Sequence, residues 1–445
     1  MRKKHILQRS IFEFYCEHDS GQQLKAISAK LDAHPKILDL ASDALISPGT
    51  KSTGRCGLSV DSIVRAALLK QMMGLTYNDL SFYLADSHSY RSFTRVESDP
   101  SSSSLQSCIS RLDDKVWEKI NGLLLADAAQ TGVEKGRMVR IDSTVTETNI
   151  HAPTDSSLLW DCVRVMVSQL TRVKGMLIPG RFDFCNHSRA AKKRMRNITY
   201  ARGANKTKLY KELLQYTKQT KTYLALAISL TEHAQDAMLF PVLQLEAESL
   251  ICLTDKVICQ TERRVLQGEK VPHEEKVFSI FETHTDIIIK GARDIQYGHK
   301  LNLTTGKSGL VLDVFIEQGN PADTARLCPM IERQQEIYGR VPRQVAVDGG
   351  YASTENLQKV KMMGVKDAAF HKKRGLKIED MVKSNWVYKK LRNFRAGVEG
   401  NISCLKRRYG LSRCTWRGLE KFKAYIWSST VAYNLMLLAR LETAD

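Results

Sequence analysis

Three acidic residues occupy positions from which two strands and a helix can bring their carboxylates together. Asp142 and Asp348 each end a short apolar run of β-forming residues, so their side chains are expected at the edge of a sheet. Glu399 follows Asp348 by 51 residues (399 − 348), in a segment with helical spacing. Three such carboxylates can hold two hard divalent cations about 3.5–4 Å apart, an arrangement that supports phosphoryl transfer.

Basic residues share the helix face of Glu399. At about 100° per residue, Arg392, Arg395 and Lys406 fall on the same stripe. On its own, this pattern is more typical of an ordinary salt-bridged surface helix. Together with the two aspartates it favours a metal-dependent site, and the three basic residues are then candidates for contact with nucleic acid.

The composition is that of a globular protein with an anionic partner. The chain has 445 residues, which allows two to four domains, and 43% of them are hydrophobic. Its 67 Lys and Arg residues against 48 Asp and Glu give a net charge of +19, so nucleic acid is the expected partner. A basic surface that is simply well solvated is the alternative.

Cysteine usage and hydropathy indicate a cytoplasmic protein with no membrane span. The ten cysteines form no CxxC pair and no cluster with zinc-ligand spacing, so we expect reduced thiols. The first residues lack the apolar segment of a signal peptide. The apolar stretch 424–438 is interrupted by Ser428, Ser429 and Asn434, which indicates a core helix.

The first 130 residues are predicted to be helical. Residues 1–47 form an N-terminal helical segment and residues 48–57 a linker rich in turn residues. Within residues 58–130, Ser59 is placed to cap a helix that Gly74 ends.

A second helix begins directly after Gly74. Thr76 is its expected cap, with Asp79 in the capping-box position. The side chains expected to face inward are Leu80, Tyr83 and Leu84. The helix–glycine–helix order predicts a helix-turn-helix-like DNA-binding domain, although a plain helical hairpin fits the spacing equally well. After a polar linker at 101–104, one helix is expected over 104–130.

The remaining residues predict an α/β fold, a mixed sheet with a helical insertion after its first strand. Residues 137–154 contain that strand, residues 155–267 have helical periodicity, and residues 276–445 return to strands and then alternate strand with helix. The later strands are expected at 277–281, 287–290, 297–303, 309–316, 344–348 and 366–371. The later helices are expected at 323–338, 353–363, 385–408 and 418–441.

The chain resembles the DDE transposases of bacterial insertion sequences, in particular those not assigned to the main families. The similarity runs from Gly74-Leu-Thr-Tyr, through Phe281-Glu-x-His-Thr-Asp286 and Gln296-Tyr-Gly-His-Lys-Leu-Asn302, to the final helix. Arg395-x3-Glu399-x6-Lys406 matches a related signature, except that Arg392 stands where that signature has tyrosine.

This resemblance implies an RNase H-like catalytic core with two Mg²⁺ ions, or Mn²⁺ in their place. It implies cut-and-join chemistry on double-stranded DNA, by a homodimer or higher oligomer at the bacterial nucleoid. Carried over by position, Asp142, Asp348 and Glu399 are the catalytic and metal-binding triad.

Other residues are weaker candidates for the site. The basic run 189–211 contains Lys192, Lys193, Arg194 and Arg196, which either follow a phosphate backbone or form a solvated helix face. His299 and Lys300 are further candidates for DNA contact, with a core histidine as the alternative. Spare acids near strands are Glu147, Asp286 and Asp313. Trp416 is expected in the core, with stacking on a base as the alternative.

The sequence therefore predicts a transposase that binds the terminal repeats of an insertion sequence and then cuts and joins DNA. A related nuclease that cleaves without joining is one alternative. An inactive, domesticated DNA-binding protein is another, and the complete set of three acidic residues argues against it.

Overall fold

The computed structural model of the protein describes residue 4 and residues 14–46, 57–230, 238–290, 294–372 and 374–442. Most of the expected linker at 48–57 lies outside these residues. The chain divides into two compact units. The core unit comprises residues 1–149 and 288–445, and the helical unit comprises residues 150–287.

The described residues form sixteen α-helices. Those before the sheet are α1 (Asp19–Ala33), α2 (Lys36–Leu45), α3 (Val60–Met73), α4 (Tyr77–Asp86), α5 (His88–Thr94), α6 (Ser102–Ile109) and α7 (Asp114–Gln130). Those of the helical unit are α8 (Asp155–Lys174), α9 (Ser188–Tyr200), α10 (Gly203–Ser229) and α11 (Phe240–Thr261). The last five are α12 (Leu327–Tyr338), α13 (Thr354–Met362), α14 (Ile378–Met381), α15 (Asn385–Arg408) and α16 (Leu419–Glu442).

The helix boundaries expected around Gly74 are confirmed. Ser59 caps α3 by accepting a hydrogen bond from the Ser62 backbone N–H at 3.0 Å. Gly74 ends that helix with φ 64°, a left-handed conformation that glycine adopts without strain. Thr76 and Asp79 form the expected capping box of α4.

The burial of these two helices differs in part from the expectation. Leu80 and Leu84 are fully buried, but the Tyr83 prediction is wrong because 39% of this residue is exposed. α3 is buried on almost every side, and α16 packs against it. A helix-turn-helix role for α3 and α4 stays a prediction.

Two expected elements are wrong. Residues 104–130 do not form one helix, because Asp113 begins a new helix by accepting a hydrogen bond from the Val116 backbone N–H at 2.9 Å. Residues 277–281 do not form a strand. Backbone N–H groups that a strand would use for pairing are bonded to side chains instead. The Val277 N–H donates to the Gln260 side chain at 2.8 Å, and the Phe281 N–H donates to the Ser279 side chain at 3.1 Å.

Six strands of the described chain form one mixed sheet. They are β1 (Met138–Glu147), β2 (Asp286–Lys290), β3 (Asp294–Thr305), β4 (Val311–Ile316), β5 (Gln344–Val347) and β6 (Asp367–Phe370). The main order is β2-β3-β1-β5-β6, and β4 also pairs with β3. β3 is antiparallel to β1 and β4, whereas β1, β5 and β6 are mutually parallel.

The register of β1 and β5 places two of the three acids side by side. Ile141 pairs with Val347, so Asp142 and Asp348 are the next residue on each of two neighbouring strands. Asp348 directly follows β5, as expected. Asp142 does not end its strand: it pairs with Leu303 in the middle of β1, which continues to Glu147.

The N-terminal helices and the sheet share one hydrophobic core. α16 packs against α7, α3 and α1, and its Val431 and Leu435 are fully buried, as expected for a core helix. α15 packs against β1, β5 and β6 and so lies over the strands that carry Asp142 and Asp348. No helix among the described residues has the length and apolarity needed to cross a membrane.

The helical unit has a separate apolar core. α8 packs against α9, α10 and α11, and its Leu159, Val163 and Met166 are fully buried, in agreement with the periodicity of the sequence. The outer face of α9 is strongly basic, with Lys192, Lys193 and Arg196 exposed.

Candidate active site

Asp142, Asp348 and Glu399 meet around the side chain of Arg395. Arg395 Nη2 lies 2.9 Å from Asp142 Oδ2 and 3.7 Å from Asp348 Oδ1. Arg395 Nη1 lies 2.6 Å from Glu399 Oε1, one helical turn further along α15. The convergence expected from the sequence is therefore present, although 206 residues (348 − 142) separate the two aspartates.

The three acidic side chains of the cluster differ in their exposure to solvent. The exposed fraction of the side chain is 14% for Asp142, 41% for Asp348 and 67% for Glu399, whereas it is 11% for Arg395. By formal charge, three carboxylates and one guanidinium sum to −2 (−3 + 1). A solvent-accessible site with this surplus of negative charge attracts cations.

Arg140 anchors α15 above β1. This residue precedes Asp142 by two positions, so both side chains lie on the face that α15 covers. Its guanidinium donates to the Phe394 carbonyl at 2.7 Å and to Asn401 Oδ1 at 2.6 Å. A Cβ at Gly397 would lie 2.1 Å from Arg140 Nη1, so a larger residue there would displace the guanidinium from these hydrogen bonds.

The anchor continues into the core through Asn401. Its Nδ2 donates to the Gly309 carbonyl at 2.6 Å and bonds the Tyr433 hydroxyl at 2.7 Å. Arg140 Nε also donates to Thr305 Oγ1 at 2.9 Å, which links α15 to β3. These buried hydrogen bonds fix the position from which Arg395 and Glu399 reach Asp142.

The turn after Asp348 is held by Tyr351. This tyrosine is fully buried, and its hydroxyl donates to Asn302 Oδ1 at 3.1 Å. Burial raises the pKa of Tyr351 well above its ordinary value, and the nearby Asp323 and Asp142 raise it further, so the phenol stays neutral. A Cβ at Gly350 would lie 2.8 Å from Asp323 Oδ2, so a larger residue there would displace that carboxylate.

The structure does not support His299 and Lys300 as DNA contacts. His299 is 2% exposed, its Nδ1 lies 3.3 Å from the Glu317 carbonyl, and its ring packs on Phe422. Lys300 is 5% exposed and pairs with Asp323 at 2.6 Å. Both side chains are buried by the packing around β3, so neither presents an atom to a surface ligand.

The spare acids take other positions. Asp313 is buried and forms a bidentate pair with Arg333 at 2.6 and 2.7 Å, so it is a structural residue. Glu147 ends β1. Burial lowers the pKa of Lys406, and the charge of Glu147 acts in the opposite direction. Asp286 begins β2 and is half-buried.

The basic candidates differ in accessibility. Arg392 is exposed on α15 and Lys406 is half-buried. Arg395 was expected to contact DNA, but its guanidinium binds carboxylates here. On α9, Arg194 pairs with Glu212 at 2.5 Å.

The donor set of the acidic cluster fits a hard divalent cation, because carboxylate oxygens are the ligands that Mg²⁺ prefers. In the described ranges no three His, Cys, Asp or Glu side chains are arranged to hold a metal ion. Here the three carboxylates are turned towards the guanidinium of Arg395. The three carboxylates therefore have the ligand chemistry that Mg²⁺ requires. In the arrangement described here they bind the guanidinium of Arg395.

Sequence reasoning missed the residues that support the site. Arg140 could have been recognised because it lies two residues before Asp142 on the same strand face. Tyr351 follows Asp348 in an Asp-Gly-Gly-Tyr turn, but nothing local indicates its hydrogen bond to Asn302. Asn401 has no local signal, because its partners come from distant parts of the chain.

A comparison with known families gives a match over part of the chain. Residues 281–435 match the family model described as a transposase DDE domain. The match covers 155 of the 445 residues (435 − 281 + 1), and it includes Asp348 and Glu399 but not Asp142. Searches of curated proteins and of solved structures gave no match. The expected relationship is confirmed over residues 281–435, where this chain is similar to the DDE domain of transposases.

Proposed function

We propose that the protein is a DNA transposase that binds the terminal repeats of an insertion sequence and catalyses Mg²⁺-dependent strand cleavage and strand transfer. One observation carries the proposal: carboxylates from the middle of β1, the end of β5 and α15 converge on one solvent-accessible cluster. The match to the transposase DDE domain and the net charge of +19 support it.

The sheet supports an RNase H-like core. The DDE domain implies this fold, and the strands run β4-β3-β1-β5-β6 with antiparallel pairing up to β1 and parallel pairing beyond it. Adjacent positions on two parallel strands then supply the two aspartates. A helix packed over the same strands supplies the glutamate.

Asp142, Asp348 and Glu399 would hold the divalent ions. When bound, two such ions supply activation of a water or 3′-hydroxyl and stabilisation of the leaving oxygen. Arg395 keeps the three like charges together in their absence, since its guanidinium contacts each of them. The planar guanidinium of Arg395 also matches the geometry of a phosphate. A DNA phosphate would therefore be a second anionic partner for it, beside the carboxylates.

The rest of the basic surface supports sequence-independent DNA binding. From Ser188 to Lys211 there are nine basic residues and no acidic one: Arg189, Lys192, Lys193, Arg194, Arg196, Arg202, Lys206, Lys208 and Lys211. Most of these side chains are exposed. Neutralisation of phosphates by such side chains releases counterions and produces salt-dependent affinity. Recognition of the terminal repeats is assigned to the helices of residues 58–130.

A strand-transfer assay tests this function. Full-length protein is incubated with labelled DNA carrying element ends, with target DNA and with Mg²⁺, and the products are resolved on denaturing and native gels. A transposase gives 3′ nicks and joined products. Nicks without joining indicate a nuclease, and binding without either product indicates an inactive DNA-binding protein.

Asp142→Asn is the informative variant in this assay, because it removes the charge of the most buried acid in the cluster. It is expected to bind end DNA and yield neither product. Glu355→Gln is a suitable control, because Glu355 is an exposed helical glutamate paired four residues away with Lys359, just as Glu399 is paired with Arg395. The control is expected to react like the wild-type protein.

A further inference from the structure

The turn between α3 and α4 meets the loop that precedes α16 within the core unit. A cavity of about 770 Å³ opens there. Several of the residues that line it are basic or aromatic, among them Lys70, Tyr77, Arg413, Trp416, Arg417 and Lys421. None of the described residues that line it is acidic. The volume is within the range of small-molecule sites, about 300–1,000 Å³.

Lys70 is the most unusual member of this wall. It is only 5% exposed, and no carboxylate in the described part of the chain pairs with its ammonium. The ammonium instead lies 4.9 Å from the centroid of the Tyr77 ring and 5.8 Å from that of Trp416. Burial lowers the pKa of Lys70 to about 8, with Cys414 acting weakly in the opposite direction. Burying a cation without an anion costs free energy. A negatively charged ligand in the cavity would offset that cost.

The aromatic part of the wall is held in place. The Trp416 ring packs edge-on against Tyr425 with centroids 5.5 Å apart, and the Trp416 backbone N–H bonds Cys414 Sγ at 3.3 Å. Trp416 Nε1 is buried and has no acceptor among the described residues. Lys421 is anchored by donating to the Ser110 carbonyl. The rings therefore form a fixed apolar surface beside the uncompensated charge of Lys70.

We propose that this cavity binds a single nucleotide, with its phosphate near Lys70 and its base against the aromatic rings of Tyr77 and Trp416. A nucleotide supplies a partner for both features of the wall, a negative charge for Lys70 and a flat face for the aromatic rings. Stacking on aromatic side chains and pairing with lysine or arginine are the general means by which proteins hold unpaired nucleotides. A simple inorganic anion would pair with the Lys70 ammonium but would leave the rings of Tyr77 and Trp416 without a stacking partner.

The end of β1 connects this cavity to the acidic cluster. Glu147 exchanges backbone hydrogen bonds with the loop, donating to Ser412 at 3.0 Å and accepting from Cys414 at 2.8 Å. From Asp142 to Glu147 is five residues along the strand, which corresponds to about 17 Å. At about 3.4 Å per nucleotide of a duplex strand, this spans roughly five nucleotides. A strand that reacts at the cluster can therefore place a nearby nucleotide in the cavity, an assignment that rests on the proposed function.

The ligand has two sources, a free mononucleotide or a nucleotide of the DNA strand, and one probe distinguishes them. Full-length Asp142→Asn protein, which is expected to leave DNA uncut, is titrated with 2-aminopurine mononucleotide. It is also titrated with end DNA carrying 2-aminopurine at single positions on either side of the scissile phosphate. The fluorescence of 2-aminopurine reports its removal from the duplex stack. A signal limited to DNA probes about five nucleotides from the scissile phosphate shows that the ligand is a nucleotide of the DNA strand. A signal from the mononucleotide alone shows that the ligand is a free nucleotide.

Two variants assign the signal to the cavity. Lys70→Gln and Arg417→Gln are expected to weaken the responding probe about tenfold each, the usual loss for one charge-assisted contact. Lys359→Gln, a surface lysine outside the cavity wall, is expected to have no effect. Arg417 is exposed, so its variant remains informative if Lys70→Gln alters folding. Both variants are made in the Asp142→Asn protein, and absence of any response, or equal responses from that protein with and without the cavity substitutions, would overturn the proposal.

This outcome is separable from that of the proposed function. If the wild-type protein cuts and joins DNA while no 2-aminopurine probe responds, only the nucleotide site is wrong. If the mononucleotide binds through Lys70 and the wild-type protein neither cuts nor joins DNA, the nucleotide site stands and the proposed function fails.

Discussion

Arg395 and Lys70 are two nearly buried cations of the core unit with opposite surroundings. Arg395 contacts the carboxylates of Asp142, Asp348 and Glu399. Lys70 contacts two aromatic rings and, within the described residues, no carboxylate. At the first site the protein supplies a surplus of negative charge, so the missing partner is a cation. At the second it supplies an uncompensated positive charge, so the missing partner is an anion.

The difference also explains why the two residues are of different types. Arginine keeps its charge when buried, and its planar group can contact several carboxylates at once. Lysine loses its proton more readily, as the lowered pKa of Lys70 shows. A permanent charge therefore holds the acidic cluster together, whereas the charge of Lys70 depends on pH and on a ligand.

The largest expected effect comes from removing the negative surplus of the first site. Glu399→Gln keeps the size and helix propensity of the residue but removes a charge that would hold a cation. Cleavage and joining are expected to fall by roughly 10³-fold or more, because loss of a metal ligand impairs attack and departure together. Binding to end DNA, measured by gel shift, should be unchanged.

Two outcomes bear on this prediction. Lys406→Ala is expected to reduce the rate less than Glu399→Gln does, since it leaves all three acids in place. Normal end cleavage by Glu399→Gln would show that the third acid lies elsewhere, and Asp286 would be the first residue to substitute.

Exposed cations form a third class and sharpen the contrast with the two buried ones. Replacing Lys192, Lys193, Arg194 and Arg196 with glutamine should weaken binding to all DNA sequences alike. The slope of log affinity against log salt concentration should become shallower by about three. Lys192, Lys193 and Arg196 are each expected to contribute about one, and Arg194 little, because it pairs with Glu212. Filter binding over a range of salt concentrations measures it. An unchanged slope would assign these residues to a solvated face.

Arg395→Gln tests whether the guanidinium competes with a metal ion for the acidic cluster. Without it, the three carboxylates carry −3 instead of −2, and their affinity for Mg²⁺ or Mn²⁺ in the absence of DNA should rise about tenfold, equivalent to about 1.4 kcal/mol. Isothermal titration calorimetry measures this affinity directly. The variant should also melt at a lower temperature without metal and recover more stability than the wild type when Mg²⁺ is added. Equal metal affinity in both proteins would mean that Arg395 does not compete.

Lys70→Met is expected to stabilise the protein at neutral pH. The folded pKa of about 8 lies below the ordinary value of 10.5, so between these pH values the unfolded chain binds more protons and stability rises with pH. Below pH 8 the full free-energy cost of burying the charged ammonium is present, on the order of 3 kcal/mol. The difference in unfolding free energy between Lys70→Met and wild type should therefore shrink from pH 8 to pH 10.5 in denaturant titrations. A constant difference would show that the Lys70 charge is not suppressed in the folded state.

Much of the local structure followed from the sequence. The caps at Ser59 and Thr76, the stop at Gly74 and the bounds of α15 are encoded within a few residues and are confirmed. The errors arose where side chains at a distance in the sequence decide the outcome. Residues 277–281 have strand-like composition, but Gln260 takes the backbone N–H of Val277. His299 and Lys300 have the chemistry of DNA contacts, but packing around β3 buries them.

The sequence by itself determined that Asp348 follows a strand and that Arg395 and Glu399 share a helix face, because both depend on local periodicity. Only the tertiary structure decided which acids meet. Asp142 and Asp313 both lie within strands, yet the register of β1 on β5 brings Asp142 to Arg395, whereas Asp313 is neutralised by Arg333. The burial of Lys70 without a carboxylate is likewise set by packing. Strand register and side-chain burial are fixed by contacts between distant segments, and no local pattern encodes those contacts.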